Sequence, residues 1–272
     1  MDLRSAAVVA TGLASAALWT YVGWRMARRD ATGAARTALT RFAVFWFGVA
    51  GHTTLASVLV LLVPLGVSGA LAARVATALA LTLIVVMFWG LVSYLAYVFT
   101  GRTATFRVVT VLYVLQFATL AAYGVVLDPV SLERSETVRI VYAHEAGAVA
   151  DAYATLAFLV PALAGALLFL GLGLRAPDRT QRYRALLVGL GLLLWLGAAV
   201  VDAAGGAVDP WVTRLLGLVA ALAALAAYAP PAFLHRYGVR PLGSGEPVTP
   251  RRVGPRRTVR SAAFEARLRD LI

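Results

Sequence analysis

The residues of this chain that could bind a ligand are polar and aromatic side chains placed inside long apolar segments. His52 is the clearest case, because it lies well inside the second such segment and is followed by Thr53 and Thr54. A polar side chain in an apolar segment costs free energy and therefore needs a partner. The partner of His52 is either a neighbouring helix, which is the simpler interpretation, or a bound ligand.

The third apolar segment carries a stripe of aromatic and hydroxyl side chains. Trp89, Ser93 and Tyr97 follow one another at intervals of four residues, and Tyr94 lies beside them. Side chains with this spacing share one face of a helix. We therefore expect the stripe to face protein rather than lipid.

The fourth and sixth segments add further polar and aromatic side chains. Tyr113, Gln116 and Tyr123 lie along one stripe of the fourth segment, and the sixth contains Trp195 and Asp202 on one face. Such a lining predicts a small-molecule site in the outer half of a helix bundle. The alternatives are ordinary packing or interfacial belts for the aromatic residues, and a solvated carboxylate at a helix end for Asp202. The candidate ligand-binding residues are His52, Trp89, Tyr94, Tyr97, Tyr113, Gln116, Trp195 and Asp202.

The composition excludes several kinds of cofactor chemistry. The chain has no cysteine, which removes disulfides, iron–sulfur clusters and covalently attached haem. All 25 basic residues are arginine, so no lysine is present to form a retinal Schiff base. The three histidines, His52, His144 and His235, lie at different predicted depths, which argues against a haem held between helices.

Catalytic and nucleic-acid motifs are absent from the sequence. It contains no phosphate-binding loop, no zinc-binding H-E-x-x-H motif and no G-x-S-x-G motif. We therefore predict no enzyme activity, no catalytic residues, no metal site and no cofactor. The net charge of +12 indicates contact with an anionic membrane leaflet rather than with nucleic acid, because no nucleic-acid motif accompanies it.

The candidate residues must be positioned by helices that cross a membrane. The chain is 61% hydrophobic and only 14% charged, so it carries more apolar surface than a soluble domain of this size hides. An apolar run of about 20 residues is long enough to cross a bilayer as a helix. Seven such runs predict an all-α integral membrane protein, a bundle of seven transmembrane helices at residues 5–24, 42–64, 75–99, 108–127, 152–174, 185–201 and 212–234.

The distribution of arginines predicts the orientation of this bundle. With the N-terminus outside the cell, 20 of the 25 arginines fall in cytoplasmic connections or in the C-terminal tail. Positive charge near a span resists translocation, so an outer N-terminus and a cytoplasmic C-terminus are favoured. The first segment is not a typical signal peptide, because Arg25, Arg28 and Arg29 follow its apolar run. We expect a multi-pass protein of the cell membrane.

Two local patterns concern the outer loop and the last helix. The loop at residues 128–151 contains residues 137–142 (TVRIVY), whose strand propensity predicts a hairpin or a cap over the bundle. Pro230 and Pro231 predict a break or kink in the seventh helix. They mark either a hinge or the point where this helix leaves the membrane.

The arginine-rich tail, residues 236–272, divides into two parts. Residues 241–255 are rich in glycine and proline and predict a flexible linker. Residues 257–272 predict an amphipathic helix with arginines on its polar side. Such a helix lies on the inner leaflet or contacts a partner protein.

Several of these features together resemble a known family. The third segment ends in residues 97–102 (YVFTGR), a long outer loop precedes the fifth segment, residues 179–184 read RTQRYR, and the sixth segment ends near Asp202. In order and character, residues 5–235 resemble the seven-helix sensor region at the amino terminus of some bacterial histidine kinases. The resemblance implies detection of an unknown ligand or membrane state. Because no kinase sequence follows the seventh segment, we expect a receptor-like module that signals to a separate partner.

Three functions are compatible with this organisation. The predicted function is a stand-alone seven-helix sensor whose outer half binds a signal and whose arginine-rich loops and tail contact a cytoplasmic or membrane partner. The first alternative is a small-solute transporter or channel lined by His52, Gln116 and the tyrosines, although no internal repeat supports it. The second alternative is a structural subunit of a membrane complex, in which the aromatic stripes are helix contacts.

Overall fold

The chain is described by a computed structural model, which covers residues 3–29, 31–67, 69–127, 130–134, 138–142, 145–176, 178–203 and 210–232. Within these ranges, seven helices are long and apolar enough to cross a membrane, as the hydropathy pattern predicts. They are α1 (Leu3–Ala27), α2 (Gly33–Leu62), α3 (Ala70–Thr100), α4 (Ala104–Ala121), α5 (Glu145–Arg175), α6 (Arg179–Ala203) and α7 (Pro210–Tyr228).

The contacts between helices define their order around the bundle. α1 packs between α2 and α7, α6 packs between α5 and α7, and α3 packs between α2 and α4 while also touching α5. Successive helices run in opposite directions, because the connections between most of them are short. One end of the bundle, called here the hairpin end, carries residues 63–69 and a β-hairpin. The other, called here the arginine end, carries the connections at residues 28–32, 101–103 and 176–178.

All seven helices begin earlier than their apolar runs predict, and three of them do so by six residues or more. α2 begins at Gly33 instead of residue 42, α5 at Glu145 instead of residue 152, and α6 at Arg179 instead of residue 185. The additional turns carry charged residues, so a search for apolar runs omits them. Their backbone is nevertheless helical, because helical hydrogen bonds form between main-chain groups whatever the side chains are.

The prolines near the end of α7 terminate the helix instead of kinking it. α7 ends at Tyr228, six residues before the predicted end, and Pro230 and Pro231 lie outside it. The backbone N–H of Ala229 still bonds to the carbonyl of Leu225 at 2.7 Å, and the helical pattern then stops. Proline has no N–H to continue that pattern and disfavours helix in the residue before it. Within the described residues, Pro230 and Pro231 therefore follow the end of α7, and their role as a hinge stays a prediction.

The connection between α4 and α5 contains a β-hairpin that packs on the bundle. β1 (Val130–Arg134) pairs with β2 (Val138–Tyr142) in antiparallel register, with Leu132 opposite Ile140. The β2 strand lies where the TVRIVY sequence predicts one. Leu132 is buried in an apolar cluster with Ala73 and Ala76 near the start of α3. The hairpin therefore covers the neighbouring ends of α2 and α3.

Candidate functional site

Stacked aromatic rings fill the centre of the bundle. The indole rings of Trp19 on α1 and Trp46 on α2 stack with centroids 5.0 Å apart. The ring of Phe42 on α2 lies 4.4 Å from that of Tyr94 on α3, and Phe169 of α5 stacks against both. All five side chains are buried. In the described part of the chain, α1, α2, α3 and α5 thus meet around a packed aromatic centre.

Tyr94 also belongs to a polar group at the arginine end, called here the arginine–tyrosine cluster. Its members are Arg29 in the connection after α1, Tyr94 on α3, Arg184 on α6 and Tyr228 on α7. Arg29 interacts electrostatically with both phenols, and the charges of Arg29 and Arg184 repel each other. Arg184 and both tyrosines are buried. Four elements that are distant in the sequence therefore meet at one group of charged and phenolic side chains.

The first turn of α6 fixes the position of Arg184. The carboxylate of Asp178 caps this helix by accepting a 2.8 Å hydrogen bond from the backbone N–H of Gln181. The guanidinium of Arg182 donates through Nε and Nη2 to the carbonyl of Ala176, at 3.2 and 3.0 Å. These bonds close the short turn between α5 and α6. The RTQRYR sequence, which was predicted as a loop, is therefore the start of a helix that carries Arg184 inward.

A second polar group lies between α2, α3 and α4 and is called here the Arg41 clamp. It consists of Arg41, Trp89, Ser93 and Phe106. Nη1 of Arg41 donates to Oγ of Ser93 at 2.9 Å and to the carbonyl of Phe106 at 3.5 Å. The guanidinium carbon lies 4.7 Å from the ring centroid of Trp89 and 4.2 Å from that of Phe106. Hydrogen bonds and cation–π contacts thus hold one cation against two neighbouring helices.

The surroundings of the clamp are also ordered by hydrogen bonds and close packing. The indole N–H of Trp89 donates to Oγ1 of Thr110 at 2.9 Å, and that hydroxyl donates to the carbonyl of Phe106 at 2.7 Å. A Cβ atom on Gly90 would lie 2.5 Å from the carbonyl oxygen of Arg41. Only glycine allows α2 and α3 to approach so closely at this point. The backbones that carry the clamp are therefore fixed relative to each other.

The candidate residues of α3 lie in two different places. Trp89 belongs to the Arg41 clamp, and Tyr97 stacks on Phe106 at 5.6 Å between ring centroids. Tyr94 instead faces the aromatic centre and the arginine–tyrosine cluster. All three lie in the half of α3 nearer the arginine end. The sequence analysis expected these side chains to contribute to a lining in the outer half of the bundle; here they lie in the half away from the hairpin end.

The candidates on α2 and α6 lie nearer the hairpin end. His52 is half-buried in the second half of α2. Trp195 packs edge-on against Phe45, with centroids 6.0 Å apart, and tilted against Phe88 at 6.1 Å. Asp202 is part of the last turn of α6, and its side chain lies outside the described residues.

The two candidates on α4 lie about one turn apart. Tyr113 is buried and interacts electrostatically with Tyr153 of α5. Nε2 of Gln116 is buried and has no hydrogen-bond partner in the structure as described. The seven candidates whose side chains are described are therefore distributed over several contacts. His144, His235 and the tail at residues 236–272 lie outside the described residues.

Sequence reasoning missed the arginines that organise both polar groups. Arg29, Arg41 and Arg184 were assigned to cytoplasmic connections because they flank apolar runs. A usable indication was present for Arg41, since Phe42, Phe45 and Trp46 follow it with helical spacing. No pattern along the chain indicates that Arg29 and Arg184 meet, because their proximity depends on the packing of α1, α6 and α7.

The comparisons assign the chain to no family. Among the described residues, no group of three or more histidine, aspartate or glutamate side chains is placed to hold a metal ion. The chain matches no known family model, no curated protein and no solved structure. The site must therefore be interpreted from its own geometry.

Proposed function

We propose that the chain is a seven-helix integral membrane protein that acts as a stand-alone sensor or receptor-like protein. The hairpin end faces outward and the arginine end faces the cytoplasm. The seven apolar helices support membrane insertion, and the arginines in the connections at residues 28–32 and 101–103, with Arg175 and Arg179 on either side of residues 176–178, support the orientation. The resemblance to sensor regions of bacterial histidine kinases agrees with this role.

The observation that carries the proposal is the arginine–tyrosine cluster. Arg29, Tyr94, Arg184 and Tyr228 connect four elements at the end where a cytoplasmic partner binds. The charges of Arg29 and Arg184 repel each other, and this repulsion changes with their separation, so the cluster responds to helix displacements. A shift of α3, α6 or α7 caused by a signal at the hairpin end therefore changes the arginine end. The partner recognises that change.

The packed aromatic centre favours a sensor over a channel. Trp19, Phe42, Phe45, Trp46 and Tyr94 are all buried and fill the space between the helices. A permanently open solute path requires a polar or water-filled interior at this depth. Helix displacement, in contrast, is compatible with a packed core because packed helices slide by small amounts.

Distance measurements between two spin labels test the sensor proposal directly. The chain contains no cysteine, so Thr40→Cys and Leu174→Cys provide unique exposed labelling sites on α2 and α5. In lipid nanodiscs we expect two distance populations, which Arg184→Gln reduces to one. Arg175→Gln, an exposed arginine one helix earlier, is the matched control and leaves both populations in place. One population in the wild type and in all variants would contradict the sensor proposal.

A transport measurement separates the first alternative. Proteoliposomes containing the full chain are loaded with labelled sugars, amino acids and inorganic ions, and release is followed over time. We expect no release above that of empty liposomes. Release that is lost in His52→Ala would establish transport and would overturn the sensor proposal.

The outer face of α4 supports the second alternative, a structural subunit of a membrane complex. α4 packs mainly on α3 and exposes a row of apolar side chains. They are Val108, Val111, Leu112, Val114 and Leu115. This function would be favoured if one particular partner protein copurified stoichiometrically with the chain from native membranes. The copurification should be lost in Leu112→Arg but not in Leu174→Arg, which changes an exposed site on α5.

A further inference from the structure

We propose that the Arg41 clamp binds the phosphate of an anionic phospholipid from the leaflet at the arginine end. The inference rests on the membrane orientation proposed above but does not depend on the sensor role. Within the described structure, the guanidinium of Arg41 contacts aromatic rings and uncharged oxygen atoms, and no carboxylate.

The position of Arg41 places it near the headgroup level of a bilayer. It lies about two turns, or about 12 Å, after the first residue of α2. Phe106 lies within the first turn of α4, beside the connection at residues 101–103. The clamp is therefore close to the arginine end of the bundle, but inside the length of a helix that is apolar enough to span the membrane. Lipid phosphates lie at this boundary between hydrocarbon and water.

The hydrogen bonds of Arg41 leave one edge of its guanidinium available. Both bonds to protein, to Ser93 Oγ and to the Phe106 carbonyl, are made by Nη1. Within the described residues Arg41 has no carboxylate partner, and its Nε and Nη2 atoms are not fully buried. The side chain as a whole is half-buried. The edge formed by Nε and Nη2 therefore remains accessible while the rings of Trp89 and Phe106 hold the plane of the group.

A phosphate diester fits this edge. Two N–H groups in the plane of a guanidinium match two phosphate oxygens, and the bonds are charge-assisted. A fixed guanidinium loses less side-chain entropy on binding than a free one. In an apolar leaflet the uncompensated charge of Arg41 also makes recruitment of an anion favourable. The acceptors available at that depth are lipid phosphates.

The apolar surfaces beside the clamp favour a lipid over a soluble phosphate. Val86 on α3, one turn before Trp89, is exposed, and α4 presents Val108 and Leu112 outward. Acyl chains pack on such surfaces, whereas inorganic phosphate gains nothing from them. Arg107, next to Phe106 and exposed, adds positive potential that favours a lipid with net negative charge.

Native mass spectrometry of the purified full chain tests the proposal. The delipidated protein is titrated with phosphatidylglycerol, with phosphatidylcholine and with inorganic phosphate. We expect one tightly bound phosphatidylglycerol per chain, weaker retention of phosphatidylcholine, and no competition from inorganic phosphate. Arg41→Gln should weaken phosphatidylglycerol binding by roughly tenfold or more, since it removes a charge-assisted bond. Arg102→Gln, at an exposed arginine of the same end, should change it less than about twofold.

Further variants keep this test decisive. Circular dichroism and gel filtration show whether Arg41→Gln folds. If it does not fold, Arg41→Lys is used instead, because lysine keeps the charge but cannot make two parallel hydrogen bonds to phosphate. We expect Arg41→Lys to bind phosphatidylglycerol with intermediate affinity. Undiminished phosphatidylglycerol binding in a folded Arg41→Gln protein, or in Arg41→Lys, would overturn the proposal. Equal binding of phosphatidylcholine, or competition by inorganic phosphate, would overturn the assignment to an anionic lipid. None of these results alters the spin-label test of Arg184, so the two proposals fail separately.

Discussion

The indole rings of Trp19 and Trp46 are stacked almost parallel, 8° apart, and Nε1 of Trp46 is buried with no hydrogen-bond partner among the residues that the structure describes. An unmet buried N–H costs about 1–3 kcal/mol, so the stack must compensate for it through packing. Both rings are about 1% exposed, which makes them one rigid unit between α1 and α2. The stability of the bundle therefore depends on the shape of Trp46 more than on its polar atom.

Substitutions of Trp46 should separate its shape from its N–H group. Trp46→Ala leaves a large cavity, and we expect a loss of about 3–5 kcal/mol in the free energy of unfolding. Trp46→Phe keeps an aromatic ring and removes the unmet donor, so we expect a change within about 1 kcal/mol. Unfolding of both variants in mixed micelles with increasing SDS measures the difference. Trp24→Phe, at a more exposed position on α1, is the control. Equal losses for Trp46→Phe and Trp46→Ala would mean that the indole N–H has an essential partner.

Gly90 should not tolerate a methyl group. Its Cβ would lie 2.5 Å from the Arg41 carbonyl oxygen and 2.9 Å from the Phe45 backbone nitrogen, so α2 and α3 must separate. We expect Gly90→Ala to destabilise the protein by about 1–3 kcal/mol, as overpacking does. Gly217→Ala is the matched control on α7, because nothing lies within 4 Å of its Cβ. There the better helix propensity of alanine should stabilise by up to about 1 kcal/mol. Thermal unfolding in detergent gives both values, and similar behaviour of the two variants would refute the close approach.

The hairpin should be released by one substitution on its packed face. Leu132 lies against Ala73 and Ala76, whereas the adjacent Ser131 is exposed, because neighbouring strand residues point to opposite sides. Leu132→Asp places a charge in that contact, and we expect backbone amides of β2 to exchange with deuterium roughly tenfold faster or more. Ser131→Asp introduces the same charge on the exposed side and should leave exchange unchanged. Unchanged exchange in Leu132→Asp would show that the hairpin does not depend on this contact.

Single-cysteine labelling should locate the two ends of the bundle. Leu65→Cys lies at the hairpin end and Thr103→Cys at the arginine end, and both positions are exposed. In intact cells a membrane-impermeant maleimide should label Leu65→Cys directly and Thr103→Cys only after the membrane is permeabilised, because the arginine-rich connections stay in the cytoplasm. Labelling of both from the same side would contradict the proposed topology. The opposite pattern would invert it.

The seven helices could be predicted from the sequence, but the starts of several helices could not. A run of apolar residues long enough to span a bilayer can be recognised from the sequence alone. The turns before Arg41 and Arg184 contain charged residues, so their hydropathy resembles that of a loop. Their helical state depends on main-chain bonds and on local caps such as Asp178, which apolar runs do not reveal. Arg41 and Arg184 were assigned to connections for this reason.

The stripe on α3 was predictable as a shared face, but its partners were not. The spacing of Trp89, Ser93 and Tyr97 indicates that they face protein, and Ser93 and Tyr97 are indeed buried. That Arg41 lies against two of them follows from the packing order of α2, α3 and α4, which periodicity does not encode. The same limit explains why the described candidate residues are distributed over several contacts. Helical spacing shows that residues share one face of a helix, but it does not show which neighbouring helix packs against that face.

The position of α1 between α2 and α7 has a consequence for the biogenesis of the protein. α1 is synthesised first and α7 last among these helices, so one flank of α1 stays uncovered until Pro210–Tyr228 has been inserted. The surface of α7 that becomes buried is made of small side chains, including Ala220 and Ala224. Such a flat surface lets the last helix slide into place beside a nascent bundle without large rearrangement of side chains. In the topology proposed above, the described bundle is thus complete only when its first and last helices, α1 and α7, meet.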